Sequence, residues 1–379
     1  MADQGRGALS ERKAVIVGGG IGGLTAALAL ARRSARVTVH ERAGAYRELG
    51  AGIQVSPNAG RVLDALVLRD TFHAASAPSH GVELRDAGGA LVLAMDFTRA
   101  RPQASFRTIH RARLLQVLED AARAAGAEIR LDSPVETLPE APLVIGADGL
   151  HSRVRLALNG PETPFFTGQT AWRAIIPAED NARPVSQVFM GPGRHMVSYP
   201  LGFGQRNLVA VIERDDWTAE SWSQTDDPQN LRRAFAGFGG PVPGWLAQVT
   251  DTGLWGLFRH QVAARWQDGI RAILGDAAHP MLPFLAQGAC MAIEDAWVLA
   301  ACLDADPDQP RALARYQALR RDRCTRIVEA ATANARNYHL SGPRRLAGHT
   351  ALRLANRLAP RAVFERFAWV YDHDPTALA

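Results

Sequence analysis

A short apolar run, Ala14–Val17, leads directly into Gly18-Gly19-Gly20-Ile21-Gly22-Gly23, and an Ala/Leu-rich stretch continues to about Arg33. The segment reads as a buried strand, a glycine turn and a helix. Arg36–His40 reads as a second strand, with Glu41 at its end. The glycines at 18, 20 and 23 fall on a G-x-G-x-x-G pattern, which constrains the chain to a βαβ unit. Each glycine has its reason: Gly18 for a tight turn, Gly20 for close approach of backbone to a pyrophosphate, Gly23 for helix–strand packing. Ile21 opens the helix, whose positive N-terminal end then faces the phosphates. Glu41 is placed to accept hydrogen bonds from an adenosine ribose. A glycine-rich turn with no ligand is the plain alternative, but the strand, helix and terminal acid together argue against it.

Composition narrows the remaining choices. The 379 residues are 47% hydrophobic and 21% charged, enough for one large or two medium domains. Three cysteines (Cys290, Cys302, Cys324), none in a C-x-x-C pair, exclude a disulfide scaffold and a cysteine zinc site. Lys13 is the only lysine, so a P-loop with its G-K-[ST] is excluded. The formal charge of +5 rests on arginine, the residue suited to gripping carboxylates and pyrophosphates. GC-rich coding is the plainer source of most of these arginines. No basic–aromatic tract points to nucleic acid. No H-E-x-x-H or G-x-S-x-G appears, so neither a metal site nor a hydrolase is expected. Arg12 and Lys13 before the uncharged stretch Ala14–Ala31 imitate an export signal, but the glycines and the following strand oppose it. The expected location is the cytoplasm, without stable membrane insertion.

Two later segments add strand-end acids. Val144–Arg155 reads as an apolar strand, an Asp148-Gly149 turn and a helix start. Ile270–Asp295 reads as a strand ending in Gly275-Asp276, a proline-rich loop, and a helix opened by Gln287-Gly288. An acid at a strand end beside a dinucleotide suits a second ribose or ribityl chain. A glycine at a helix start offers N–H groups to an anionic ring edge.

With these three motifs in this order, the chain resembles the single-component FAD-dependent aromatic hydroxylases, the para-hydroxybenzoate hydroxylase-like monooxygenases. Gly50-Ala51-Gly52-Ile53-Gln54-Val55-Ser56-Pro57-Asn58-Ala59 and Ile109-His110-Arg111-Ala112 resemble the family too. The likeness is nearest to the salicylate, 3-hydroxybenzoate and 6-hydroxynicotinate hydroxylase branch. It implies an α/β fold: a Rossmann-like FAD-binding βαβ domain, an antiparallel-sheet substrate domain and C-terminal helices. The FAD domain is expected over 10–75, 100–165 and 268–330. The sheet domain is expected over 76–99 and 166–267, and a helical segment over 331–379.

The resemblance also implies roles. Gly18, Gly20, Ile21, Gly23, Glu41 and Arg42 would hold the adenosine end of FAD. Arg111 would contact the pyrophosphate or ribityl region, and Asp276 the ribityl side. Asp148 would sit near the pyrophosphate and also serve NADH or NADPH, since the family lacks a nicotinamide domain. Pro283, Gly288 and Ala289 would face the isoalloxazine ring. The expected activity is hydroxylation of a small phenolic or heteroaromatic acid with NAD(P)H and O2, through a flavin C4a-hydroperoxide. The expected assembly is a monomer or homodimer. Departures are the short chain between Arg130 and Val144, and Arg113 where relatives often carry an acid.

Strand-like runs recur from Gln169 to Glu213 between Gly, Pro and Asn turns, which reads as a mainly antiparallel sheet. In it, His195 and Tyr199 are four residues apart and so face one side of a strand. A phenolate attacks an electrophilic peroxide better than a phenol, and histidine suits the deprotonation. His195 is therefore the expected base and Tyr199 its hydrogen-bonding partner, both touching substrate with Gln54 and Pro283. A turn histidine and a core tyrosine are the alternative. Trp172 and Arg173 read as a core tryptophan and an arginine paired within the sheet, rather than as a carboxylate clamp. His279 reads as structural. Competing functions are the same flavin chemistry on a polyketide, urate-like heterocycle or antibiotic, an NAD-dependent dehydrogenase, or a non-catalytic flavin sensor.

Overall fold

The computed structural model describes residues 8–45, 52–215 and 225–378. Gly50 and Ala51 of the glycine-rich motif lie outside them. A five-stranded parallel sheet runs in the order Arg271–Ile273, Val144–Gly146, Lys13–Val17, Arg36–His40, Glu128–Arg130. Its central strand, Lys13–Val17, receives both the glycine turn and the Asp148 strand as neighbours. The helix after the turn, Ile21–Ala31, is buried at every residue. Alanines make that possible, because small side chains let the sheet and the helix Gly288–Ala305 close on both sides of it.

An eight-stranded sheet forms the second layer. In spatial order it contains Thr225–Asp226, Thr252–Arg259, Phe165–Pro177, Gln205–Glu213, Arg194–Gly202, Val185–Gly191, Gly81–Asp86 and Leu91–Asp96. Its pairings are antiparallel except one: Val185–Gly191 runs parallel to Gly81–Asp86. Alternation divides this sheet cleanly. Trp172, Ala174, Phe189, Met196 and Leu208 face a core under the short helices Pro228–Ala234 and Val242–Ala247. Ala171, Val211 and Trp255 face the other way, against Leu282, Phe284 and Ala335. The strand-like runs expected between Gln169 and Glu213 are found as the four strands Phe165–Pro177, Val185–Gly191, Arg194–Gly202 and Gln205–Glu213.

The chain ends in three helices, Gln309–Tyr338, Gly342–Leu358 and Pro360–Tyr371. Among the described residues, no helix is long and apolar enough to cross a membrane.

Candidate active site

A cleft of about 680 Å³ opens at the glycine turn. Gly18, Gly20, Glu41, Arg42, Arg111, Asp148 and Asp276 all line it. The glycines divide the labour as their spacing predicts. A β-carbon on Gly18 would stand 2.4 Å from the Ala147 carbonyl oxygen, and one on Gly23 2.0 Å from that of Gly18. Gly18 also has φ +101°, which a side chain would strain. Gly20 has nothing within 4 Å of that position. Its space is the cleft itself. Gly20 caps the helix without a side-chain hydrogen bond, so the first-turn N–H groups are left to the cleft.

Glu41 is fixed before any ligand arrives. Gly19 N donates to its Oε2 at 2.7 Å and Ala43 N to its Oε1 at 2.9 Å. Asp148 is tied down as well: Ser152 Oγ donates at 2.5 Å and Arg153 N at 2.7 Å. Burial nevertheless raises the Asp148 carboxyl above its ordinary range. Asp276 opens onto the cleft but is walled by protein elsewhere. Burial raises its carboxyl, opposed by the nearby charges of His279 and Arg111. Arg42, Arg111, Arg153 and Arg173 bring positive charge to the same walls. A long slot with an open helix start, four arginines and strand-end acids at each end fits an adenine dinucleotide.

Arg173 pairs within the sheet as expected, and it also lines the cleft. Trp172 is core, and its Nε1 donates to Asp226 at 2.7 Å. Its neighbour faces the other side of the strand, lines the cleft and stacks on the Trp255 ring at 4.5 Å. Arg113, the departure noted in the sequence, lies over the Phe203 ring at 3.6 Å. It bridges the helix Arg111–Ala124 to the turn after Gly202.

A second, smaller cavity of about 100 Å³ lies between the large sheet, the proline-rich loop and the terminal helices. Gln54 and Pro283 line it. Gly288 and Ala289 line neither space: Gly288 is the first residue of the helix Gly288–Ala305. The loop before it turns at Ala286, a non-glycine residue at φ +52°. A buried clasp fixes the loop to the Gln54 segment. Asn58 Nδ2 donates to Gln287 Oε1 at 3.0 Å and Glu294 Oε1 at 2.5 Å, and Gln287 Nε2 donates to Ser56 Oγ at 2.8 Å.

His195 is fully buried on the strand face that also carries Val197, which lines the cavity, and Tyr199. The ring of His195 packs on Phe284 at 5.0 Å and Tyr338 at 5.2 Å. Both of those rings line the cavity. Neither His195 nor Tyr199 lines it directly, and the expected bond between them is absent. Four residues along a strand separate them by about 13 Å. His195 Nδ1 instead lies 2.7 Å from His339 Nε2, and its Nε2 has no hydrogen-bonding partner among the described residues. Burial, then His339, pushes its pKa well below the ordinary histidine value, so the ring is neutral. Tyr199 is also buried, which raises its phenol. It holds its proton.

Sequence reasoning missed His339 and the ion cluster behind the proline-rich loop. His279, Asp295 and Cys324 place donor atoms within 4.8 Å of one another, a spacing that suits a metal. The place is already held by a cation: buried Arg320 donates to Asp295 at 2.7 Å and to Glu294 at 2.5 Å. His279 Nε2 meets Asp295 at 2.5 Å, which gives it the structural role expected.

A family model described as "FAD binding domain" matches residues 11–141 and 139–331. The chain belongs to this FAD-binding family. It is 35% identical over 386 residues to a 3-amino-4-hydroxybenzoate 2-monooxygenase of Streptomyces platensis, covering 95% of each chain. It is 32% identical over 366 residues to a 3-hydroxybenzoate 6-hydroxylase of Klebsiella oxytoca, covering 88% of this chain and 90% of that one. A salicylate hydroxylase–substrate complex has the same fold, with TM-score 0.80 over 97% of both chains at 23% identity. The protein is thus an FAD-dependent monooxygenase.

Proposed function

We propose that this monooxygenase hydroxylates a single-ring aromatic acid, with NADH or NADPH as reductant and O2 as oxidant. The observation that carries the reading is the 100 Å³ cavity with one charged lining residue, Arg107, among the described residues. A cavity of about 150 Å³ takes up benzene. The space is nearer to one ring than to a polyketide or other polycycle, and a substituted ring needs it to widen. Phe97, Phe106, Val188 and Val197 offer ring contacts. Arg107 is anchored through Nε to Ser76 and through Nη2 to the carbonyls of His73 and Ser76. A guanidinium so braced suits a carboxylate. The relatives named for aminohydroxybenzoate and hydroxybenzoate support the same class.

Bound FAD supplies the electrons for O2 and the transfer of one oxygen atom. Gly20, Glu41, Arg111 and Asp276 would hold it. The chain would contribute the carboxylate grip of Arg107, and His195, which packs behind the cavity-lining rings of Phe284 and Tyr338, as the base when those rings part for a ring hydroxyl. Tyr199, protonated, would serve as a hydrogen-bond donor.

Anaerobic flavin bleaching by NADH or NADPH tests this, with salicylate, hydroxybenzoates and hydroxynicotinates as effectors. At least one acid is expected to speed bleaching many-fold and to be hydroxylated in air. Arg107→Gln should then raise KM for that acid roughly 10- to 100-fold, the loss of a hydrogen bond to a charged group. Equal response to the corresponding phenol without its carboxylate would refute the acid assignment.

A further inference from the structure

We propose that Glu213 and His339 form a proton outlet that keeps His195 Nε2 bare and connects it to solvent. The proposal rests on the reading of His195 as the base for its purpose, though its geometry stands independently. Three side chains make one line. His195 Nδ1 is 2.7 Å from His339 Nε2, and His339 Nδ1 is 2.8 Å from Glu213 Oε1. Exposure changes along it: His195 is fully buried, the His339 side chain nearly so, and the Glu213 side chain is 53% exposed. Backbone holds both far members. His339 ends the helix Gln309–Tyr338, and its carbonyl accepts from Gly193 N at 3.3 Å. The carbonyl of that same glycine accepts from Glu213 N at 2.8 Å.

Donor and acceptor counting then fixes the protons. An ionised carboxylate only accepts, so His339 Nδ1 carries a hydrogen and donates to Glu213. A neutral His339 leaves Nε2 as a lone pair, so His195 Nδ1 must be the donor. His195 Nε2 is then a lone pair, in agreement with its lack of any partner. An exposed carboxylate thus sets the tautomer of a histidine two residues deeper in the chain of contacts. The titratable groups set against the line are Tyr338 beside His195 and Glu213 beside His339.

The transfer balances. Once a ring hydroxyl reaches His195 past Phe284 and Tyr338, its O–H breaks, its electron pair stays on oxygen, and Nε2 takes the proton. The Nδ1 proton of His195 passes to His339 Nε2. The Nδ1 proton of His339 passes to Glu213, which releases it to water. No oxidant is needed, and no buried charge remains on either ring.

The test uses the FAD-loaded enzyme with 15N-labelled histidine and no aromatic ligand. Nitrogen spectra should show His195 and His339 protonated at Nδ1, with the signals assigned by loss in His195→Gln and His339→Gln. Glu213→Leu should redistribute the His339 tautomer and with it that of His195. Glu213→Gln still accepts a hydrogen bond but cannot carry a proton. Exchange of the His195 Nδ1 proton with solvent should slow about a hundredfold in it, at the low end of what positioned proton transfer contributes. A His195 proton on Nε2, tautomers indifferent to Glu213→Leu, or unchanged exchange in Glu213→Gln would each overturn the proposal. Failure of the aromatic panel alone would overturn only the substrate reading.

Discussion

The carbonyl oxygen of Gly18 lies 2.0 Å from where a β-carbon on Gly23 would stand, whereas Gly20, between them, faces open space. Two glycines of one motif are therefore structural and the third is for the ligand. Gly23→Ala should lower the melting temperature of the flavin-free protein. Gly20→Ala, at φ −71°, should leave that temperature unchanged and weaken FAD binding by tenfold or more. Thermal melts and flavin fluorescence titration separate the two, and equal effects would refute the division.

Arg320 is fully buried between Glu294 and Asp295. Truncating one member of a buried ion cluster leaves unpaired charge, at a cost of about 3–5 kcal/mol. Arg320→Ala should lose that much in urea unfolding. A loss under about 1 kcal/mol would mean that the carboxylates simply take up protons.

Acid should act through the same cluster. Burial alone would raise the Glu294 carboxyl. The charges of Arg320 and Arg323, with hydrogen bonds from Arg323 and Asn58, outweigh burial and hold it at about 2. A folded pKa below the unfolded one contributes stability above the unfolded value and loses it as pH falls through the folded one. The unfolding free energy should therefore decline between about pH 4.5 and pH 2, by roughly 3 kcal/mol from this group. Glu294→Gln should flatten that decline, as denaturant melts at stepped pH will report.

Asn58 ties the Gln54 segment to the loop before Gly288. Asn58→Ala strands the buried Gln287 oxygen and removes one bond from Glu294, at about 1–3 kcal/mol. Flavin fluorescence anisotropy should also fall, since the loop at Pro283 loses its anchor. Unchanged anisotropy with reduced stability would confine the clasp to folding.

The cleft at the glycine turn was legible because its geometry is local. Gly18, Gly20, Gly23 and Glu41 sit within one βαβ unit, and each residue's task follows from its neighbours in sequence. The strands around His195 were legible for the same reason, from alternation and turns. What failed were pairings across long separations. His195 meets His339, 144 positions away in sequence, while Tyr199, its near neighbour in sequence, lies too far along the strand. That Arg173 also lines the cleft was not legible, because alternation says which residues share a face but not which face meets the cleft. Arg320 and Arg323 looked like any arginines on a long helix, and burial alone distinguishes them.

The small cavity takes its walls from two sources of unequal freedom. Gln54, Pro283 and Gln287 belong to segments locked by the Asn58 clasp. Asn334, Tyr338, Phe367 and Tyr371 come from the helices Gln309–Tyr338 and Pro360–Tyr371, which add no strand to either sheet. One wall is thus cross-tied between distant loops, and the other is presented by helix faces. Such a layout would let the shape of the cavity drift through changes on those helix faces, while the clasped wall stays as it is.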